Sequence, residues 1–236
     1  MRVLFVQQDH VSPPGPVGEA FVERGYDVDE FLVVPAEQFH KPCVTVVFPD
    51  PRDYDVVVPM GAPWSVYDDD AVGTWVKDEI EFVREAHDAH IPVLGICFGG
   101  QVLAVALGGD VVPADRAEVG WRSVTTQRPG LVEPGPWFQW HADRWVLPPG
   151  IEPFAHTPDA EQAFVVGSSL GLQFHPELTP DMLRGWLAHG GAEHARSLGL
   201  DPQLLVDETE ATAAAAAQRA RRLVHRFLDQ VAGHRK

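Results

Sequence analysis

The 236-residue chain has only two cysteines, Cys43 and Cys97, and only three lysines. Two cysteines are too few for a disulfide framework, and they lack the C-x-x-C spacing of a metal site or dithiol redox motif, so a reducing compartment is expected. Long apolar runs are also missing, and nothing approaches the roughly 20 residues of a membrane span. The opening M-R-V-L-F-V-Q-Q-D-H turns polar too soon for a signal peptide and reads as a first strand, which points to a cytoplasmic protein. Positive charge is scarce. A formal net charge of −16 repels phosphate backbones and anionic lipids, so neither nucleic acid nor a membrane surface is an expected partner. No basic patch precedes the last 18 residues. No internal repeat and no long low-complexity linker interrupts the chain, and at this length about three quarters of the unfolded surface can be buried. One domain over 1–236 is the simplest organisation, with a core over about 3–190 and a C-terminal helical extension over about 200–236.

Apolar runs of strand length alternate with helix-like segments through the first half. Strands are expected at 3–6, 28–34, 54–59 and 91–96, and helices at 16–25, 72–89 and 98–107. That alternation predicts a three-layer α/β/α fold around a mostly parallel, flavodoxin-like sheet. After residue 110 short strands with Gly/Pro turns take over, near 120, at 137–141 and at 163–166, which predicts an antiparallel extension. The strand-like L-Q-F-H at 172–175 then returns to the core. A last helix is expected over about 208–232, capped by Asp207, with Leu223, Val224, Phe227, Leu228 and Val231 as its apolar stripe. Its arginines read as a solvated face.

One cysteine is placed unlike the other. Residues 95–101 read G-I-C-F-G-G-Q directly after the apolar I-P-V-L, so Cys97 falls where a buried strand gives way to a helix, with Gly95 and Gly99 two residues to either side. This is the pattern of a nucleophile elbow, in which a sharp turn lifts the nucleophile out of the sheet and small flanking residues let strand and helix approach. A thiol of pKa near about 8.5 is only a few per cent thiolate at pH 7, and a helix N-terminus and a protonated histidine both favour the anion. His175 supplies the candidate base: it ends G-L-Q-F-H and is followed by Pro176 and Glu177. In extended backbone, residues two apart share a side, so Glu177 is expected to orient the imidazole of His175.

These residues resemble the triad-type, class I glutamine amidotransferases, whose motifs G-x-C-x-G-x-Q and H-P-E stand here as G-I-C-F-G-G-Q and F-H-P-E-L. The resemblance spans roughly residues 3–190 and is nearest to the amidotransferase domain of GMP synthase and its free-standing relatives. It implies that Cys97, His175 and Glu177 form the catalytic triad. The segment P-M-G-A-P-W-S-V-Y-D-D-D at 59–70 is similar to the family's glycine-rich oxyanion loop, which implies that Gly61 and Phe98 offer backbone N–H groups to the oxyanion. The segment W-F-Q-W-H-A-D-R-W at 137–145 is similar to the family's W-x-S-H-G-D, which implies that Gln101, Trp140, His141 and Asp143 hold the amino-acid end of glutamine. His141 has a rival reading as a metal ligand or second base, but no companion cluster accompanies it and no metal or cofactor is expected. The chain departs from the family pattern at Gly100, where His or Met is common, at Ala142, where Gly is usual, and at the bulky Trp64.

The resemblance implies attack of Cys97 on the glutamine side-chain amide, a γ-glutamyl thioester, release of ammonia, and hydrolysis to glutamate. Neither a G-x-x-x-x-G-K-[ST] loop nor an S-G-G-x-D-S loop is present to activate an ammonia acceptor. A separate ATP-dependent synthetase subunit is therefore the expected partner. Two alternatives stay open: a stand-alone γ-glutamyl peptidase acting on small γ-glutamyl compounds, and a non-catalytic binding protein on the same fold.

Overall fold

The computed structural model describes residues 1–233. In the N-terminal half, strands β1 (Arg2–Gln7), β2 (Asp27–Leu32), β3 (Val56–Pro59) and β4 (Val93–Ile96) alternate with helices α1 (Gly15–Glu23), the short α2 (Asp69–Val72), α3 (Val76–Asp88) and α4 (Phe98–Ala106). Strands β5 (Asp110–Thr126), β6 (Gly135–Val146), β7 (Pro153–His156), β8 (Glu161–Val166) and β9 (Ser169–Leu172) follow. Helices α5 (Pro180–Trp186), α6 (Ala192–Ser197) and α7 (Pro202–Gln230) complete the described chain. All nine strands share one sheet in the order β2-β1-β3-β4-β9-β8-β7-β5-β6. The pairs from β2 to β9 are parallel and those from β9 to β6 antiparallel.

The inner parallel strands β1, β3 and β4 are buried on both faces, which is why they are continuous apolar runs, while the edge strand β2 (D-V-D-E-F-L) stays largely exposed. Side chains alternate between two cores. Val3, Phe5, Val56, Val58 and Ile96 join Val17 and Phe21 of α1 and Leu223, Val224 and Phe227 of α7. Leu4, Val6, Val57 and Val93 join Val76, Phe82 and Val83 of α3 and Val102 and Leu103 of α4 on the other face. A third cluster packs Val119 and Phe138 of the β5–β6 hairpin against Met182, Leu183, Ala195 and Leu205. Loops at the C-terminal ends of β1, β3, β4 and β9 converge at the parallel edge, the usual place for a site in such sheets.

Several boundaries differ from the sequence expectations. The helix expected at 72–89 is two helices, α2 and α3, separated at 73–75. The last helix starts earlier than expected: Asp201, not Asp207, caps it by accepting from the Gln203 N–H at 2.9 Å, with Pro202 at the first turn. Asp207 lies inside the helix and accepts from Gln203 Nε2 at 2.8 Å. Residues 234–236 of the expected extension lie outside the described residues. The arginines of α7 are engaged: Arg222 and Arg226 meet Glu133, and Arg221 meets Glu19 and Glu23. The strand expected to end at His175 stops at Leu172. One further bond joins it to β8, from the Gln173 N–H to the Gln162 carbonyl at 3.0 Å, and the His175 N–H then donates to the Phe138 carbonyl of β6 at 2.9 Å. Among the described residues no helix is long and apolar enough to cross a membrane.

Glu79 of α3 is fully buried and accepts from Gln8 Nε2 at 2.6 Å; its other carboxylate oxygen has no partner. Burial is the dominant cause of a carboxyl pKa pushed up to about 8, against which the Gln8 hydrogen bond acts in the opposite direction. Between the usual carboxylate range and about 8, the folded chain keeps a proton that the unfolded chain has released, so stability falls as pH rises through that window. Glu79→Gln is therefore expected to stabilise the protein increasingly with pH, by up to about 1.4 kcal/mol per unit across the window. Urea unfolding of both proteins at pH 5 and pH 8 checks this, and a difference that does not vary with pH would contradict it.

Candidate active site

Cys97 is the single residue between β4 and α4, with φ +51° and ψ −110°, a conformation that L residues seldom adopt. Such a backbone costs about 1–3 kcal/mol and persists only where its surroundings enforce it. The Cys97 N–H donates to the Leu172 carbonyl at 2.8 Å, the Cys97 carbonyl accepts from the Gln101 N–H at 3.0 Å, and the Gly99 N–H donates to the Met60 carbonyl at 2.9 Å. The glycines on either side are required by space. A Cβ on Gly99 would stand 2.0 Å from the Pro59 carbonyl oxygen, and one on Gly95 would stand 2.6 Å from that of Gly99. Gly100 follows the same logic: its Cβ would meet the Leu172 carbonyl oxygen at 2.6 Å, so here α4 lies too close to β9 for the larger residue that the family pattern favours.

His175 and Glu177 lie on the turn after β9. The turn brings the carboxylate back onto the ring, Nδ1 to Oε1 at 2.7 Å, and both side chains are buried. The contact expected from extended backbone is thus made by a bend. Gly15, with φ +49°, leaves room for that bend, since a Cβ there would overlap the Glu177 carbonyl oxygen at 2.2 Å. Phe174 stacks on Trp137 at 4.5 Å, which anchors the chain just before the histidine, and Trp186 meets the His175 ring edge-on at 4.9 Å. His175 Nε2 makes no aligned hydrogen bond. The largest influence on the imidazole is burial, which favours the neutral form. The charges of Glu177 and then Cys97, with the Glu177 hydrogen bond, outweigh it and hold the pKa of His175 well above its ordinary value.

Gly61 joins the two halves. An added Cβ would meet His175 Cε1 at 2.9 Å and Cys97 Cβ at 3.6 Å, so one point in space touches both the thiol-bearing carbon and the imidazole. Phe98 opens α4, and its N–H, one of the first-turn amides of that helix, therefore has no partner within it. Of the nine residues singled out in the sequence, Cys97, His175, Gly61 and Phe98 meet around the sulfur, with Glu177 directly behind the imidazole.

The other four line the cleft beside the sulfur. Gln101 Nε2 donates to the Asp143 carbonyl at 3.4 Å and to Gln173 Oε1 at 3.3 Å. The Trp140 carbonyl lies 3.9 Å from Cys97 Sγ. His141 places Nδ1 3.0 Å from the Asp143 carbonyl, while Nε2 stands 3.2 Å from Glu118 Oε2 without hydrogen-bond alignment. The Asp143 carboxylate accepts from Ser65 Oγ and from Tyr67 Oη, the latter at 2.6 Å. Among the described residues no group of three or more His, Cys, Asp or Glu could hold a metal ion.

Sequence reasoning missed Gln173, which is fully buried and directs Nε2 at Cys97 Sγ, 3.6 Å away. Its only signal was a polar side chain two residues before the histidine in an otherwise apolar run. Ser65, Tyr67 and Trp186 were also missed. The first two lay inside the quoted loop but had no visible partner until Asp143 was brought beside them, and Trp186 sat in a helix of unremarkable pattern.

The model of the glutamine amidotransferase class-I family matches residues 20–185. Curated relatives include the glutamine-hydrolyzing GMP synthases of Thermomicrobium roseum, 37% identical over 139 residues, and Trichormus variabilis, 35% identical over 132. Each match covers 52% of this chain and 23% of the relative, so the chain corresponds to less than a quarter of those proteins. A glutamine amidotransferase from Thermotoga maritima superposes with a TM-score of 0.81 at 26% identity, covering 98% of this chain and 99% of that one. A second, from Methylobacillus flagellatus, shares the fold with a TM-score of 0.82 at 22% identity, covering 98% and 95%. An elbow cysteine, a buried H-P-E turn and a family match across most of the sequence together establish that the chain belongs to the class-I glutamine amidotransferases.

Proposed function

We propose that the chain, as one domain, hydrolyses the side-chain amide of glutamine through a thioester on Cys97 and delivers ammonia to a separate ATP-dependent synthetase subunit in the cytoplasm. The observation that carries this reading is the convergence at Gly61 of a backbone-strained cysteine at a helix N-terminus with an imidazole held from behind by a buried carboxylate. The names and similarity of the GMP synthase relatives support the substrate.

In this reading the Cys97 thiolate attacks the amide carbon, and the N–H groups of Gly61 and Phe98 stabilise the oxyanion. His175 takes the thiol proton and gives a proton to the departing nitrogen, so the C–N bond breaks as ammonia leaves. Water then attacks the thioester, returning the sulfur and releasing glutamate. Glu177 fixes the ring tautomer and stabilises the imidazolium. Gln101, Trp140, His141 and Asp143 receive the amino-acid end, and Gln173 donates to the sulfur anion. A purely binding role leaves the strain at Cys97 without a purpose, since folding gains nothing from it.

Three outcomes test the assignment. Cys97→Ala is expected to lower glutamate release from glutamine by about a thousand-fold or more with the fold intact by circular dichroism; unchanged turnover would remove the sulfur from the reaction. Glu177→Gln removes a charge that raises the pKa of His175, so the proton is lost sooner as pH rises and the alkaline limb of kcat/KM moves to lower pH. An unmoved limb would separate Glu177 from the ring's protonation. Gln173→Ala should lower kcat by about ten-fold through loss of one charge-assisted hydrogen bond, and Gln173→Glu should lower it further by opposing the thiolate; steady-state kinetics showing the reverse order would exclude this role.

A further inference from the structure

An irregularity in the sheet lies opposite the segment that receives the amino-acid end. β5 and β6 pair Pro113 with Asp143 and Glu118 with His141, so residues 114–117 of β5 stand against Ala142 alone. A bulge of this kind re-aims the side chains beside it. Here it brings the buried Glu118 to the ring of His141. His141 lines a cavity of about 330 Å³ together with Cys97, Gln101 and Asp143, whereas Glu118 stands behind that wall.

The contacts of this second His–Glu pair decide where its protons lie. His141 Nδ1 is 3.0 Å from the Asp143 carbonyl, which can only accept, so Nδ1 carries a proton. His141 Nε2 is 3.2 Å from Glu118 Oε2, out of hydrogen-bond alignment but close enough for a lone pair on Nε2 to oppose the carboxylate. The same carboxylate oxygen accepts from Thr157 Oγ1 and from Gln162 Nε2, each at 3.0 Å, as an ionised group does. A buried carboxylate with two neutral donors still lacks a counter-charge, and His141 is its ion-pair partner. Both ring nitrogens therefore face acceptors, an arrangement that the doubly protonated ring satisfies and neither neutral tautomer does. A ring so occupied has no lone pair left for a metal or for a role as second base.

The Asp143 carbonyl also accepts from Gln101 Nε2 at 3.4 Å, so α4 and β6 share one acceptor at the glutamyl cavity. A cationic ring makes the stronger bond to that carbonyl. We infer that Glu118 is a positioning residue for the amino-acid end of glutamine: it holds His141 doubly protonated, and the ring in turn pins the Asp143 carbonyl against Gln101. This rests on the glutamine-hydrolysing reading of the same site. Glu118 touches neither the sulfur nor the imidazole of His175, so its effect falls on substrate binding and not on the nucleophile.

The test reads the ring and the kinetics together in the purified chain. Ring-nitrogen NMR of histidine-labelled protein, with His141 assigned by its loss in His141→Gln, is expected to show two N–H protons on that ring at pH 7, and one in Glu118→Leu. The same variant should raise KM for glutamine by about ten-fold with kcat held within about two-fold. The diazoketone analogue of glutamine, which carries the amino-acid end, should then alkylate Cys97 about ten-fold more slowly, and iodoacetamide, which lacks it, at the native rate; both are followed at Cys97 by peptide mass, since Cys43 is exposed. Thr157→Val removes a donor to the same carboxylate without touching the ring, and is expected to lower stability while leaving KM within about two-fold. Should Glu118→Leu not fold, Glu118→Gln keeps the size and loses the charge, with one ring proton and a KM raised by about three-fold expected. A single proton on the native ring, two protons without Glu118, equal slowing by both reagents, or a KM raised as much by Thr157→Val overturns this inference, and glutamine hydrolysis by the native chain then leaves the earlier reading standing. No hydrolysis by the native chain overturns both.

Discussion

The site depends on one buried charge relationship, the contact between His175 Nδ1 and Glu177 at 2.7 Å. A carboxylate with no solvent exposure is costly unless an opposite charge stands beside it, and the second oxygen of Glu177 has no partner to share that cost. The imidazole is therefore held toward its cationic form, and a cationic ring beside a thiol favours the thiolate that attack requires. Placement of the pair is enforced from outside: Gly15 admits the turn, the Phe138 carbonyl takes the His175 N–H, and Trp186 closes over the ring.

The nucleophile is fixed by a different means, compression rather than charge. Gly95, Gly99 and Gly100 bring β3, β4, β9 and α4 to distances that no side chain would permit. The left-handed backbone at Cys97 is the result of that crowding and of the hydrogen bond to Leu172. Charge pairing and close packing meet at Gly61, where a methyl group would press on the His175 ring while touching Cys97.

Much of this was legible in the sequence because the informative residues are close along the chain. Glycines two residues to either side of a cysteine, after a buried run, announce the elbow, and H-P-E carries the imidazole and its carboxylate within three residues. The inner parallel strands β1, β3 and β4 were legible because both-face burial writes them as unbroken apolar runs. What stayed hidden depends on contacts between distant segments. Gln173 has meaning only beside Cys97 and Gln101, and Ser65 and Tyr67 only beside Asp143. The end of β9 at Leu172 is set by β6, and the start of α7 by an Asp-Pro pair that competes with a second aspartate six residues later.

The hairpin of β5 and β6 has a further consequence. Its 17- and 12-residue strands carry Trp140 through Asp143 toward the sulfur, yet it is joined to the rest of the sheet only through the last residues of β5, Thr125 and Thr126, paired with β7. Beyond that junction the hairpin is held by contacts outside the sheet: the Phe138 carbonyl takes the His175 N–H, Val119 and Phe138 pack against Met182, Leu183 and Leu205, and Asp143 accepts from Gln101, Ser65 and Tyr67. The recognition segment is thus clamped by the same elements that carry the nucleophile and the base, so a substitution that shifts one end of the cleft is transmitted to the other.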